Sequence, residues 1–234
     1  MVNNMEVKND FQYSIRIMNN IDSFQKYYDL LVEENKKYNL TSITNEEEAF
    51  IKHFEDSICM NKAIDMNNVK TLCDIGSGAG FPSLPLKIVY PHLHVTIIEP
   101  TLKRVNFMKS VVEMLGLKDV EVINARAEDV ARDYVEKFDV VTARALAALP
   151  MFLELTSTFC KVNGYLIAYK GSNFEEEIEL SKNALKVLDL KIEKTEKFEL
   201  KKEYGMRTLI KIKKIKETNN KYPRRFAEIK KKPL

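Results

Sequence analysis

Val69–Glu99, VKTLCDIGSGAGFPSLPLKIVYPHLHVTIIE, decides the fold. An apolar run ends in Asp74. A glycine-rich turn follows at once at Gly76, Gly78 and Gly80, then a helix-compatible segment, then a second apolar run that ends in the acid Glu99. That succession is the first half of a nucleotide-binding α/β unit, which holds a cofactor at the carboxyl ends of two parallel strands.

Outward from this stretch the periodicity changes. Towards the N-terminus, residues 10–38 carry apolar residues at spacings of three and four (Ile17, Ile21, Phe24, Tyr28, Leu31), which predicts a helix. A second helix is expected over Glu46–Met60 after the cap candidate Asn45, and no strand pattern precedes Val69. Towards the C-terminus, strands are expected at Lys70–Asp74, His94–Glu99, Val120–Asn124, Phe138–Ala143 and Tyr165–Tyr169. Helices are expected between them near Phe81–Val89, Thr101–Leu115, Glu128–Glu136 and Leu149–Cys160. After one more helix, Phe174–Leu188, the runs Leu190–Phe198 and Met206–Ile215 have no helix between them and should pair as an antiparallel hairpin. Alternating strands and helices give a parallel sheet covered on both faces. Seven strands closing in a hairpin is the pattern of a class I S-adenosylmethionine-dependent methyltransferase, a Rossmann-like α/β fold, and not that of a six-stranded dinucleotide fold. Three parts follow: a helical N-terminal cap (1–66), the α/β domain (67–216) and a basic C-terminal tail (217–234) without periodicity.

Composition narrows the classes. Hydrophobic residues make up 45% and charged residues 30% of 234, as expected of a chain with a real core. No apolar run approaches 18 residues, so no membrane span is expected, and MVNNMEVKND lacks the apolar segment of a signal peptide. Cys59, Cys73 and Cys160 are far apart, which argues for a reducing, cytoplasmic compartment and against a zinc site. Residues 211–234 hold ten Lys/Arg and two acids, while the rest of the chain is net −5. A polyanion partner and a solvated tail both account for that charge.

Gly76-Ser77-Gly78-Ala79-Gly80 is GxGxG, with Phe81 where a dinucleotide fingerprint places its next glycine at the helix start. S-adenosylmethionine carries no phosphate, so the demand for that glycine is relaxed. Asp74 is placed to approach the amino end of its methionine, and Glu99, 23 residues after Gly76, to accept from both ribose hydroxyls. A structural turn and a solvated strand end are the plainer alternatives. After the third strand, Ala127 and Glu128 fall where the adenine edge is read, although a helix start explains Glu128 equally well.

After the fourth strand, where class I methyltransferases carry their catalytic motif, stands Thr142-Ala143-Arg144-Ala145; Lys170-Gly171 ends the fifth strand on the same edge. No nucleophile, base and acid come together. Cys160 lies in an apolar run, His92 and His94 flank the far end of the second strand, and His53 shares a helical face with Asp56, which favours a capping or interdomain hydrogen bond. Guanine N7 has a lone pair and no proton, so its methylation needs alignment and no deprotonation.

Asn39-Leu40-Thr41, IKHFEDS, LCDIGSGAGFPSLPLKI, HVTIIEPTLKRVNF, ARAED, FDVVTARALAALP and AYKG, with IKETNNKYPRR beyond them, closely resemble the 16S rRNA (guanine-N7) methyltransferase family RsmG, also called glucose-inhibited division protein B. The resemblance implies transfer from S-adenosylmethionine to N7 of a guanine in the 530 loop of bacterial 16S rRNA, with the small ribosomal subunit or its assembly intermediate as partner; beside it, no metal, no membrane and a monomer are expected. It places Gly76, Gly78, Phe81, Glu99, Thr101, Ala127 and Glu128 with Asp74 on the cofactor, and Arg144 and Lys170 on the cofactor or substrate side as catalytic candidates, Arg126 being weaker. One stretch departs from the family: Arg225-Phe226-Ala227-Glu228-Ile229-Lys230 replaces a Pro-Gly-Thr-Pro-like turn, which opens the path of the tail. Two rival readings are an RNA-binding assembly factor with a vestigial cofactor site and a nicotinamide-dependent oxidoreductase.

Overall fold

Seven runs of β-branched and aromatic residues form one sheet in the order β3-β2-β1-β4-β5-β7-β6. The strands are β1 (Thr71–Ile75), β2 (His94–Ile98), β3 (Val120–Ile123), β4 (Phe138–Arg144), β5 (Cys160–Lys170), β6 (Leu190–Glu199) and β7 (Met206–Lys214). The first five run parallel, and β7 enters antiparallel between β5 and β6, as the missing helix before it requires. The structure is a computed structural model that describes residues 14–200 and 204–234; the N-terminal decapeptide and residues 10–13 of the expected first helix lie outside these.

Strand β5 starts five residues earlier than expected. Asn163 at φ 66° and Gly164 read as turn residues, yet they form an irregularity within the strand. A Cβ on Gly164 would meet the Asp139 carbonyl at 2.9 Å, so the residue is needed for close packing against β4. Cys160 therefore opens a strand and does not close a helix.

The helices are α1 (Ile15–Met18), α2 (Ile21–Tyr38), α3 (Glu46–Ala49), α4 (Asp56–Ile58), α5 (Ser83–Val89), α6 (Leu102–Met114), α7 (Ala127–Val130), α8 (Leu149–Ser157), α9 (Phe174–Leu180), α10 (Lys182–Val187) and α11 (Phe226–Lys231). Asn45 caps α3 by accepting from Glu48 N at 3.1 Å. Between α3 and α4 the chain widens into a π-helical stretch, Phe50–Glu55, a feature that often marks functional positions. Two expected helices are shorter than their patterns. The one over Glu128–Glu136 stops after Val130 and continues as turns closed by three-residue hydrogen bonds. Phe174–Leu188 breaks at Ser181, whose hydroxyl donates to the Glu177 carbonyl at 2.7 Å and competes with the helix.

The N-terminal helices share a core with one face of the sheet. Phe24, Tyr27 and Leu31 of α2, with Phe50 and Phe54, join Phe81, Leu84, Phe107 and the strand residues Leu72, Val95 and Val140 in one buried cluster. The second face packs Leu149, Phe152 and Leu153 of α8 against Cys73, Val141 and Leu166.

The tail differs from its aperiodic reading. Tyr222 is buried, α11 forms with Ile229 inward, and Arg224 places Nε 2.7 Å and Nη2 2.5 Å from the two oxygens of Glu154, a carboxylate with no exposed surface. Removing one partner strands the other charge in the core. Arg224→Ala is expected to lower stability by about 2 kcal/mol, read as a lower urea midpoint with an unchanged slope. An unaltered midpoint would show the tail to be a passive extension.

Candidate active site

The carboxyl ends of β1 and β2 carry the glycine turn. Gly78 sits at φ 63°, and a Cβ there would meet nothing within 4 Å, so the turn is open on that side. Gly80, at φ 93°, has the opposite reason for its identity: a Cβ would strike the Tyr27 hydroxyl at 2.5 Å and Leu84 Cδ1 at 2.6 Å. Tyr27, from α2, donates that hydroxyl to the Ala79 carbonyl at 2.5 Å and so props the turn from behind.

A cavity of about 220 Å³ opens in front of the turn, lined by Gly76, Gly78, Phe81, Thr41, His53, Arg104 and Arg144, among others. Glu99 lies beneath it, 1% exposed. One carboxylate oxygen accepts from Gly78 N and the other from Thr101 N, each at 3.0 Å. Thr101 thus serves first as a backbone donor that fixes Glu99. A carboxylate has room for about four hydrogen bonds, so capacity for a diol remains. Asp74 is wholly buried behind the turn; Oδ2 accepts from Ser83 N at 3.2 Å, while Oδ1 accepts nothing. Burial pushes its pKa up to about 7 against the pull of the Ser83 hydrogen bonds and Arg144. An open turn, a half-used carboxylate and an orphaned buried oxygen fit a ligand that joins a nucleoside to an amino acid.

Ala127 and Glu128 do not line that cavity. They start α7 beside it, held near Glu99 by Asn124, whose amide donates to the Glu99 and Pro100 carbonyls at 3.1 and 2.9 Å. Arg126 instead lies over the Phe226 ring of the tail helix at 5.7 Å.

Arg144 is the hub of the site. From the end of β4 its Nη1 donates to the Lys52 carbonyl and to Asp56 Oδ2, each at 3.1 Å, and its Nη2 donates to His53 Nδ1 at 3.3 Å. The guanidinium also lies 5.1 Å from the centre of the Phe81 ring, on which His53 stacks at 4.4 Å. An arginine only donates, so His53 Nδ1 accepts, and the ring proton sits on Nε2, which faces Thr41 Oγ1 at 2.9 Å. Burial, together with the charges of Arg144 and Lys52, holds the His53 pKa down to about 3. The interdomain hydrogen bond expected of the His53–Asp56 face is present, and Arg144 is its partner.

The sequence offered no sign of Arg207. From β7 it brings Nε to 3.3 Å from the second oxygen of Asp56. Its only trace in the primary structure is a charge at the start of a strand. Lys170 is 8% exposed and committed to contacts within the protein: Nζ bonds Glu177 at 2.6 Å and the Ala147 carbonyl at 2.8 Å, and the same Glu177 oxygen accepts from Leu149 N at 2.6 Å. The pair brackets the loop that follows Arg144, in which Ala145 adopts φ 54°, a strained choice for a residue with a Cβ. Cys73 and Cys160 are buried thiols, and burial holds Cys160 up at about 12. His92 bonds the Met66 and Val69 carbonyls far from the site.

The sequence model of the family described as rRNA small subunit methyltransferase G matches residues 20–209. The chain belongs to this family. Proteins carrying the family name from Thermoanaerobacter sp. (strain X514) and Bacillus subtilis (strain 168) are 46% and 44% identical to it, over 93% and 92% of this chain and 91% and 90% of theirs. Among solved structures, TYW2 from M. jannaschii in complex with AdoMet superposes with a TM-score of 0.55 at 21% identity, over 69% of this chain and 77% of that one. A SAM-dependent methyltransferase from Aquifex aeolicus superposes with 0.52 at 21%, over 71% and 93%. These likenesses concern the fold, which is that of the S-adenosylmethionine-dependent methyltransferases. As a small subunit methyltransferase G, the chain closes its sheet with β7 between β5 and β6, which tells against the dinucleotide-dependent oxidoreductase reading. Among the described residues no helix is long and apolar enough to cross a membrane.

Proposed function

We propose that this small subunit methyltransferase G moves a methyl group from S-adenosylmethionine to N7 of a guanine in the 530 loop of 16S rRNA, as a cytoplasmic monomer that needs no metal. One observation carries the atom: the catalytic position holds Arg144, and the histidine against it is a base too weak to work, with its pKa near 3 and both ring nitrogens engaged. An acceptor that must lose a proton would find neither of these two side chains able to take it. N7 has none to lose, so holding reactants in line is sufficient.

S-adenosylmethionine, when bound, supplies an electrophilic methyl on a sulfonium. Glu99 would take its ribose hydroxyls, Asp74 its ammonium, and the Gly76–Gly78 backbone its methionine arm. Phe81 would form a wall, Thr101 would hold Glu99 in place, Ala127 and Glu128 would meet the adenine from beyond the cavity, and Arg144 would divide this site from that of the RNA. Lys170 would act through the loop it ties to Glu177. The helices before residue 67 serve as a cap that finishes the cofactor site.

The decisive experiment is transfer from labelled S-adenosylmethionine to small subunits from cells lacking the activity, with the site mapped by the chain cleavage that 7-methylguanosine permits after reduction. Label at one guanine of the 530 loop is expected. RNA binding without any label would favour the assembly-factor reading instead.

Asp74 gives a pH signature. In the free protein its carboxyl gains a charge only as pH rises through about 7, and an ammonium ligand favours the charged form. Affinity for S-adenosylhomocysteine is therefore expected to tighten about tenfold from pH 6 to pH 7.5, and Asp74→Asn should flatten that slope. Calorimetric titration at both pH values reads it. A flat wild-type profile would remove Asp74 from the ammonium.

A further inference from the structure

Beyond Arg144 lies a second cavity of about 540 Å³, walled by Asp56, Arg144, Ala145, Tyr169, Lys170 and Arg207, among others. It shares Arg144 and Ala145 with the cavity in front of the glycine turn, so one thin wall separates the two. Its volume falls in the range of about 300–1,000 Å³ common for small-molecule sites. Asp56 is only 5% exposed; Oδ2 accepts from Arg144, whereas Oδ1 accepts no hydrogen bond, Arg207 Nε being at ion-pair distance but off the bonding direction. That oxygen has almost no exposed surface and lies against Arg207, so a ligand completes it only where the Arg207 side chain swings aside.

We propose that this cavity receives the target base and that Asp56, with the Arg207 side chain swung aside, reads it as guanine, accepting from N1–H and the N2 amino group. The inference rests on the guanine-N7 reading above. In the wall Lys170 pairs with Glu177 and the one carboxylate of Asp56 faces two guanidinium groups, so a single positive charge is left over, which suits a nucleotide: a polar heterocycle inside and its phosphate at the mouth. Guanine is the base that presents two adjacent donors on its Watson–Crick edge, where adenine would turn the N1 lone pair against the carboxylate. Enzymes that modify a base take it out of the stack and read that same edge. Holding guanine there leaves N7, on the opposite edge, unbonded and free to attack. Tyr169, 8% exposed and fixed by its hydroxyl on the Ser57 carbonyl at 2.6 Å, adds a rigid aromatic wall.

Inosine tests this, because it keeps N7, O6 and N1–H and lacks only the N2 amino group. Small subunits would be reconstituted with 16S rRNA carrying guanosine or inosine at the target position. The wild-type protein is expected to prefer guanosine by about 10- to 100-fold in kcat/KM, the discrimination a good bidentate pair gives. Asp56→Asn, whose amide can accept only through its single oxygen, is expected to be slower on guanosine and to shrink the preference below about threefold. S-adenosylhomocysteine binding confirms that the variant is folded. A role limited to anchoring Arg144 would slow both substrates alike and keep the ratio, which overturns the proposal. A wild-type ratio near one overturns it too, whether or not the variant folds. Failure to label guanosine at N7 at all would instead overturn the function on which it rests.

Discussion

Replacing Arg144 with alanine is expected to cut kcat/KM by about 100- to 1,000-fold and to lower stability by about 2 kcal/mol. The two losses have one cause. Arg144 ties β4 to the π-helical stretch through the Lys52 carbonyl and His53 and to α4 through Asp56, and it forms the wall between the two cavities. Alanine leaves Asp56 buried with only Arg207 opposite, and frees His53 from the bond that fixes its tautomer. Sequence alone would expect transfer to slow with the fold intact; the buried partners add the stability loss. Arg144→Lys is expected to recover stability in part and turnover little, since a point charge cannot reach Asp56, a carbonyl and a ring nitrogen at once. Chemical denaturation beside single-turnover methylation separates the effects. Near-normal turnover in the alanine variant would remove Arg144 from the reaction.

Glu99→Ala is expected to weaken S-adenosylhomocysteine binding by about 100-fold or more. The carboxylate does two things at once: it accepts from Gly78 N and Thr101 N, which shapes the turn, and it keeps capacity for the ribose. Glu99→Gln separates shape from charge poorly. The amide would aim its NH₂ at one of the two backbone donors, leaving a buried donor facing a donor. Glutamine is therefore expected to fall within about tenfold of alanine. Isothermal titration decides, and wild-type affinity in either variant would take the ribose away from Glu99.

What was legible in the sequence was local. Asp74, the glycine turn and Glu99 lie on consecutive elements, and strand and helix periods located those elements. The terminal hairpin followed from two strand patterns with no helix between them. What escaped depends on distance along the chain. Arg144 meets residues about 90 positions away, Tyr27 meets Ala79, and Arg207 reaches Asp56 from a strand whose pattern marks it only as a charge. Short elements escaped as well. Six residues of α11 cannot display a helical period, and the tail is held by a buried Glu154 that no composition count would single out. Lys170 stands at the expected edge of the sheet, but only its contacts with Glu177 and Ala147 show that its charge holds a loop.

The shared core of α2 and the sheet also sets an order of events during synthesis. Phe24, Tyr27 and Leu31 are covered by Phe81, Leu84 and Phe107, residues added to the chain as many as 83 positions later. At about 5–20 residues per second that interval lasts roughly 4–16 s, whereas a helix forms in about a microsecond. The apolar stripe of α2 is therefore synthesised seconds before its cover. For those seconds the nascent chain depends on whatever shields that stripe at the exit tunnel.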